Sequence, residues 1–428
     1  AGSSNDITLA NTSNNFATVA LTSGRNVTLV DAGAIDLGAS TVSGTYDVTA
    51  TAGGDITDSD VLAITGTSTL TVADEQSIIL DQSSTFSSTV TFTPSSGTIA
   101  AVTINDSNAF DLKALTTTGN LTVTAGGAVT DSGTLVVPGT ATISASGQNI
   151  TLDQASSNFG TVSLTGANVA VTDTNAVVLG ASTVSGTYTV TAGSAVTDSG
   201  TQEITGVTTI SASGQDVTLN TSTNNFAAAV VITGANVAVT DTNAIKLGAA
   251  TVSGTYGITA GGAITDSGTQ EIAGVTTLAA GSSNDITLDT STNNFAAAVA
   301  ITSGRNVAIT DEDAIDLGAA TVSGTYSVTA GGAVTDSGTQ EITGATTISA
   351  SGQDVTLNTS TNNFAAAVGI TGAAVTVIDE DAIDLGAATV SGTYSVTAGG
   401  AITDEGTQEI AGVTTLVAGS SNDITLDT

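Results

Sequence analysis

The chain repeats itself, and the repeat governs what it can fold into. The leucine of a recurring phrase, Asp-Ile-Thr-Leu in its commonest form, falls at Leu9, Leu80, Leu152, Leu219, Leu288, Leu357 and Leu426. The steps between them are 71, 72, 67, 69, 69 and 69 residues. Phe16, Phe86, Phe159, Phe226, Phe295 and Phe364 keep the same interval, as do Tyr46, Tyr188, Tyr256, Tyr326 and Tyr394. Self-similarity at a fixed period of this size is the mark of a stacked array. Six repeats, at about 1-71, 72-143, 144-210, 211-279, 280-348 and 349-417, fill the chain as one continuous array over 1-428, and 418-428 opens a seventh.

A longer interval overlies the first. The segment TTISASGQDVTLNTSTNNFAAAV begins at Thr208 and again at Thr346, 138 residues on, so alternate repeats are the closest relatives. The second repeat is the outlier. It holds Pro94, Pro138, Phe92, Phe110 and Lys113, and has Leu121 where the others have tyrosine.

Each repeat divides into thirds, for example NVAITDEDAIDLGAATVSGTYS, VTAGGAVTDSGTQEITGATTISASGQ and DVTLNTSTNNFAAAVGITGA. Every third has a short alternating run rich in β-branched residues, a polar turn, and a second alternating run closing on Gly or Ser. That is the signature of half-buried strands, and helical periodicity is absent. A third of 20 to 27 residues suits one coil of a parallel β-helix, giving about three coils per repeat. Composition agrees. Aromatic residues make up 3% of the chain, and Cys, Met, His and Trp are missing, so a narrow linear core of Val, Ile, Leu and Ala is easier to fill than a round one. The competing architecture is six tandem immunoglobulin-like β-sandwiches of about 69 residues. One Phe and one Tyr per unit are few for a sandwich core, and proline-marked linkers are absent.

The runs TVSGTYSVTAGGAVTDSGTQEITG and SNDITLDTSTNNFAAAVAITSGRNVAITDEDAIDLGA resemble the repeats of large bacterial β-strand-repeat exoproteins and adhesins similar to filamentous haemagglutinin. The resemblance implies a right-handed parallel β-helix, secretion, and work at the cell surface or in a biofilm.

The residue inventory narrows function further. With 39 acidic residues against four basic ones, Arg25, Lys113, Lys246 and Arg305, the chain has no basic footprint for phosphate, so nucleic acid is not an expected partner. No stretch approaches the length of a membrane helix, and membrane insertion of this segment is not expected. Without His or Cys the usual nucleophilic triads and most transition-metal sites are unavailable, and no enzymatic activity is expected.

Two acidic patterns recur. One is the Thr-Asp before Ser-Gly, at Asp58, Asp131, Asp198, Asp266, Asp336 and Asp404, which reads as an Asx turn satisfying nearby backbone N–H groups. The other is TDEDAID, at Asp311, Glu312, Asp313 and Asp316 and again at Asp379, Glu380, Asp381 and Asp384. It has the oxygen-rich chemistry that calcium prefers, so Asp311, Asp313, Asp316, Asp379, Asp381 and Asp384 are the candidate calcium ligands. Lys246 and Val178 occupy the position of Asp316 in other repeats, which confines any such site to the last two. The Asn-Asn-Phe corners read as a core-filling phenylalanine beside an asparagine pair that turns the chain through left-handed dihedrals.

The function expected from sequence is structural: a bacterial extracellular fibre, stalk or biofilm-matrix component, self-associating end to end or covalently continued in a longer array. With three coils per repeat, acidic corners recur about 14 Å apart, beyond the screening length of about 8 Å at physiological salt. The alternative is an adhesin whose faces bind surface polysaccharide or a neighbouring cell.

Overall fold

A computed structural model describes residues 2-426. The chain divides into two compact units, Ala1–Thr209 and Ile210–Thr428. Both are all-β, with parallel strands stacked as a β-solenoid, about 21 turns in all. Immunoglobulin-like sandwiches are not formed, because every strand pairing described is parallel and joins residues about one coil apart in sequence.

The fifth repeat, in the second unit, shows the construction. Its segments alternate between two kinds of arm. Straight arms are single short strands: Val307–Asp311, Tyr326–Ala330, Thr346–Ser349 and Val368–Gly372. Bent arms turn a corner midway: Ile315–Val322, then Val334–Asp336 with Gln340–Ile342, then Val355–Leu357 with Asn363–Phe364. Straight stacks on straight, through Val307↔Tyr326, Tyr326↔Thr346 and Thr346↔Val368. Bent stacks on bent, through Ile315↔Val334 and Val334↔Val355. One straight and one bent arm complete a coil.

Alternation within the arms decides what is buried. In Val307–Asp311 positions 307, 309 and 311 face inward and are buried, as the two-residue period of a strand requires. In Ile315–Val322 Leu317 and Gly318 are buried in succession. That break in alternation is the corner. Other corners depend on a missing side chain. A Cβ at Gly331 would overlap the carbonyl oxygen of Glu312 in the coil before, while the Gly331 N–H donates 3.0 Å to the Asp311 carbonyl. Gly352 lies at φ 76°, where a side chain is strained.

The core is a column of Val, Ile and Leu, with one fully buried tyrosine and one fully buried phenylalanine in most repeats, such as Tyr326 and Phe364. The phenylalanine is therefore a packing residue, as its spacing suggested. In the second repeat, which lacks the tyrosine, Phe92 and Phe110 add aromatic volume, with ring centroids 6.5 Å apart.

A repeat thus supplies four straight and three bent arms, seven half-coils, or three and a half coils where the sequence thirds indicated about three. The odd number has a geometric result. The first straight arm of the next repeat, Val375–Asp379, stacks on the bent arm at Val355, and the bent arm Ile383–Val390 stacks on the straight arm at Val368. The straight face and the bent face exchange sides. The same exchange precedes the fifth repeat, where Val307 stacks on Ile286 and Leu317 on Val299. It also occurs in the first unit, where Val102 stacks on Ile78. A given residue returns to the same sheet after two repeats, which is the 138-residue interval seen in the sequence. Equivalent corners on one sheet are then about 34 Å apart at strand spacing, not the 14 Å expected from three coils.

Candidate functional site

The recurrent polar chemistry of this protein sits at the corners of the bent arms, and it is largely turned inward. Asp311 ends a straight arm at an inward position and is 2% exposed. Its Oδ2 accepts the backbone N–H of Phe295 at 2.9 Å, and its Oδ1 accepts the N–H of Asp313 at 2.8 Å. Asp379 repeats the arrangement with the N–H groups of Phe364 and Asp381, both at 2.8 Å. Asp31, Asp106, Asp173 and Asp241 are likewise buried and accept the N–H of the corresponding phenylalanine. Burial pushes the carboxyls of Asp311 and Asp379 upward against these hydrogen bonds, and the neighbouring acidic side chains push the same way. Two of the candidate calcium ligands are therefore committed to holding the backbone.

The other four lie differently. Asp313 and Asp381 sit in the turns as exposed residues whose N–H groups serve those clamps. Asp316 and Asp384 face outward on bent arms, half-buried, and Asp384 accepts a 3.4 Å hydrogen bond from the Thr403 hydroxyl in the coil after. Among the described residues no group of three or more Asp or Glu side chains is placed to hold a metal ion.

The Thr-Asp row also acts between coils rather than within a local Asx turn. Asp336 accepts the N–H groups of Asn358 and Thr359 from the coil after, at 2.8 and 3.2 Å. Asp58 does the same for Asp81 and Gln82, and burial raises its carboxyl to about 6. The local turn supplies no free N–H of its own because each corner is already stacked on the next.

Buried amides link these carboxylates into a staple. The Gln340 side-chain nitrogen donates to the Gly318 and Gly338 carbonyls at 2.7 and 2.8 Å, and its N–H donates 2.9 Å to the Asn362 side-chain oxygen. The Asn362 side-chain nitrogen donates 2.7 Å to Asp336, and its carbonyl accepts the Glu380 N–H at 2.7 Å. The staple runs through four successive coils. Gln270, Asn293 and Asp266 repeat its middle portion. The asparagine pair turns the chain by these bonds and not by left-handed dihedrals, since the non-glycine residues at positive φ are Glu75 and Ser421 among the described residues. Strand parity could have revealed the clamps. In Val-Ala-Ile-Thr-Asp the aspartate shares the inward parity of Val307 and Ile309.

On the surface, Arg25 and Arg305 make two-pronged pairs with Asp6 and Asp285, at 2.7 to 2.8 Å, which hold both carboxyls down at about 2. Lys113 pairs with Asp111. Beside that pair a shallow recess of about 350 Å³ is lined by Phe86, Ser88, Asn108, Phe110 and Asp111.

A family model described as "Repeats of unknown function (DUF5649)" matches residues 24-93, 99-165, 166-233, 234-302, 304-371 and 372-428. Each match opens just before a first straight arm, at Val27, Val102, Val169, Val237, Val307 and Val375. No curated protein and no solved structure matches the chain.

Proposed function

The chain belongs to a family of repeats of unknown function, and we propose that its work is mechanical, as an extracellular fibre, stalk or matrix component of a bacterium with no catalytic step. One observation carries this reading. Polar side chains that recur in every repeat are spent on holding one coil to the next, and apolar ones on a continuous core. A parallel ladder closed in this way resists local opening, because backbone groups at the corners are held by both strand pairing and side chains. The net charge of −35 opposes non-specific association of such chains. Self-association end to end, or continuation in a longer array, is the assembly that suits a stacked solenoid. Electron microscopy of the purified chain, with fractionation of the source cells, tests the proposal. Stiff extracellular particles are the expected result, and a flexible string of beads retained inside the cell would defeat it.

A second reading is an adhesin for surface polysaccharide. The observation that favours it is the recess beside Phe110 and Asp111 in the divergent second repeat. Retention on a glycan surface that is lost with Asp111→Ala is the expected sign of this activity.

A further inference from the structure

Charge is segregated on this molecule. Outward positions of the straight arms carry Thr, Ser, Ala, Val, Gly, Asn and Ile, and Asp47 is the one charged residue among those described. Outward positions of the bent arms carry acidic residues, such as Asp316, Glu341, Asp384 and Glu409. Each level of a unit thus has one neutral flat side and one charged, cornered side, and the two exchange at every repeat.

The neutral sides are ordered arrays of hydrogen-bonding groups. In the second repeat Thr103, Thr122, Thr142 and Ser163 stack in register as one column, and Asn105, Thr124, Ser144 and Thr165 as the other. In the fifth repeat one column is Thr310, Thr329, Ser349 and Thr371, with Ser327 and Thr347 beside it. Rows lie about 4.8 Å apart and columns about 6.7 Å, from strand spacing and two residues of rise. Threonine side chains are stiff at χ1. In the first repeat the hydroxyls of Thr71 and Thr93, one row apart, are 2.9 Å from each other.

Ordinary ligands are poorly served by such a face. It has no charge for an ionic polymer, and the aromatic rings on which sugars stack are buried here, with Phe16 alone half-buried. What matches an uncharged, rigid, two-dimensional lattice of hydroxyls and methyls is another lattice of the same kind. The row and column spacings are close to the oxygen repeats on a prism face of hexagonal ice. We propose that the straight-arm faces bind ice. Each hydroxyl can donate to or accept from a lattice water, and each methyl fits between water rows. The stacked backbone holds the groups in place beforehand, so little ordering cost opposes the many weak contacts. Because the faces exchange sides, both sides of a unit carry such patches. The inference goes beyond the structural role and stands or falls separately from it.

The test uses the full chain. Partition into a slowly growing ice front, the freezing-point gap, and recrystallisation of fine ice are measured for the native protein. Two variants accompany it: Thr122→Lys/Thr142→Lys/Ser327→Lys/Thr347→Lys on the neutral patches, and Glu271→Lys/Glu341→Lys on the charged arms. Circular dichroism and melting confirm that each is folded. The native chain and the charged-arm variant are expected to enter the ice and slow its growth. The neutral-patch variant is expected to lose at least about half of the effect, because contacts on one lattice act together. Exclusion of the native chain from ice overturns the proposal, as does equal activity of the neutral-patch variant. Retention on an insoluble neutral glucan together with exclusion from ice would assign the face to polysaccharide instead.

Discussion

Replacing Asp311 by alanine should loosen one corner of the second unit and leave the rest intact. The carboxylate holds two N–H groups. That of Phe295 belongs to a residue 1% exposed, and that of Asp313 lies in an exposed turn. Leaving the first without a partner costs about 1–3 kcal/mol, whereas the second can turn to water and loses about 0.5–1.5 kcal/mol. The change also removes a carboxyl whose charged form is disfavoured by burial, which offsets part of the loss at neutral pH. A local destabilisation of about 2 kcal/mol remains, or roughly thirty-fold in an opening equilibrium. Repeat arrays need not unfold in one step, so the assay is hydrogen exchange resolved to the peptide holding Asn294 to Ile301. The Phe295 amide should exchange roughly ten- to a hundred-fold faster, with little change one repeat away at Phe364. Glu312→Ala on the same exposed turn is the control and should change nothing, because the Glu312 backbone N–H still donates to the Asn293 carbonyl at 2.7 Å. Unaltered exchange at Phe295 in the Asp311 variant would refute the clamp.

The acid response should be unusual in sign. Asp58, Asp106, Asp131, Asp173, Asp311 and Asp379 are all raised by burial above the ordinary 3.8, so the stability they add is complete below about 3.8 and is lost as pH rises through their folded values. Melting temperature should therefore climb as pH falls from 7 toward about 4. Below that Asp6 and Asp285, held near 2, act in the opposite direction, and a fall already at pH 5 would contradict the assignment. Gly331→Ala sets a Cβ against the Glu312 carbonyl and should cost about 1–3 kcal/mol by overpacking, read as a lower urea midpoint. Arg305→Ala removes an exposed pair and should cost about 0–1 kcal/mol, with the difference vanishing in high salt. Asp311 and Asp379 are already engaged by backbone, so millimolar calcium and chelator should give the same melting curve. A rise of several degrees with calcium would restore the acidic turns as ligands by linkage.

Much of this architecture could be read before any coordinates. The fixed interval of Leu, Phe and Tyr gave the stack, and alternation in runs such as Val307 to Asp311 gave strands with one buried face. The half-coil escaped because period alone does not reveal parity. Splitting 69 residues into thirds hides the fact that a corner arm such as Ile315–Val322 spans two short strands in one half-coil. The chemistry of the acidic turns escaped for a related reason. Asp311 and Asp313 look alike as residue types, and only the inward parity of the first separates a buried clamp from a solvated charge. The partners of Asp336 and Gln340 lie in neighbouring coils 22 to 26 residues away, a distance at which sequence offers no direct cue.

An odd number of half-coils per repeat makes array length an address. Tandem copies as alike as those beginning at Thr208 and Thr346 invite unequal exchange between genes, and copy number then drifts. Loss or gain of two copies slides everything downstream along the array without altering which way it looks. A single copy lost or gained turns every later surface to the opposite side while leaving each residue in its usual local company. Folding is blind to the difference, and a partner fixed on one side is not. Selection that acts through such a partner would keep copies in even steps, and selection for folding alone would leave odd and even counts equally common.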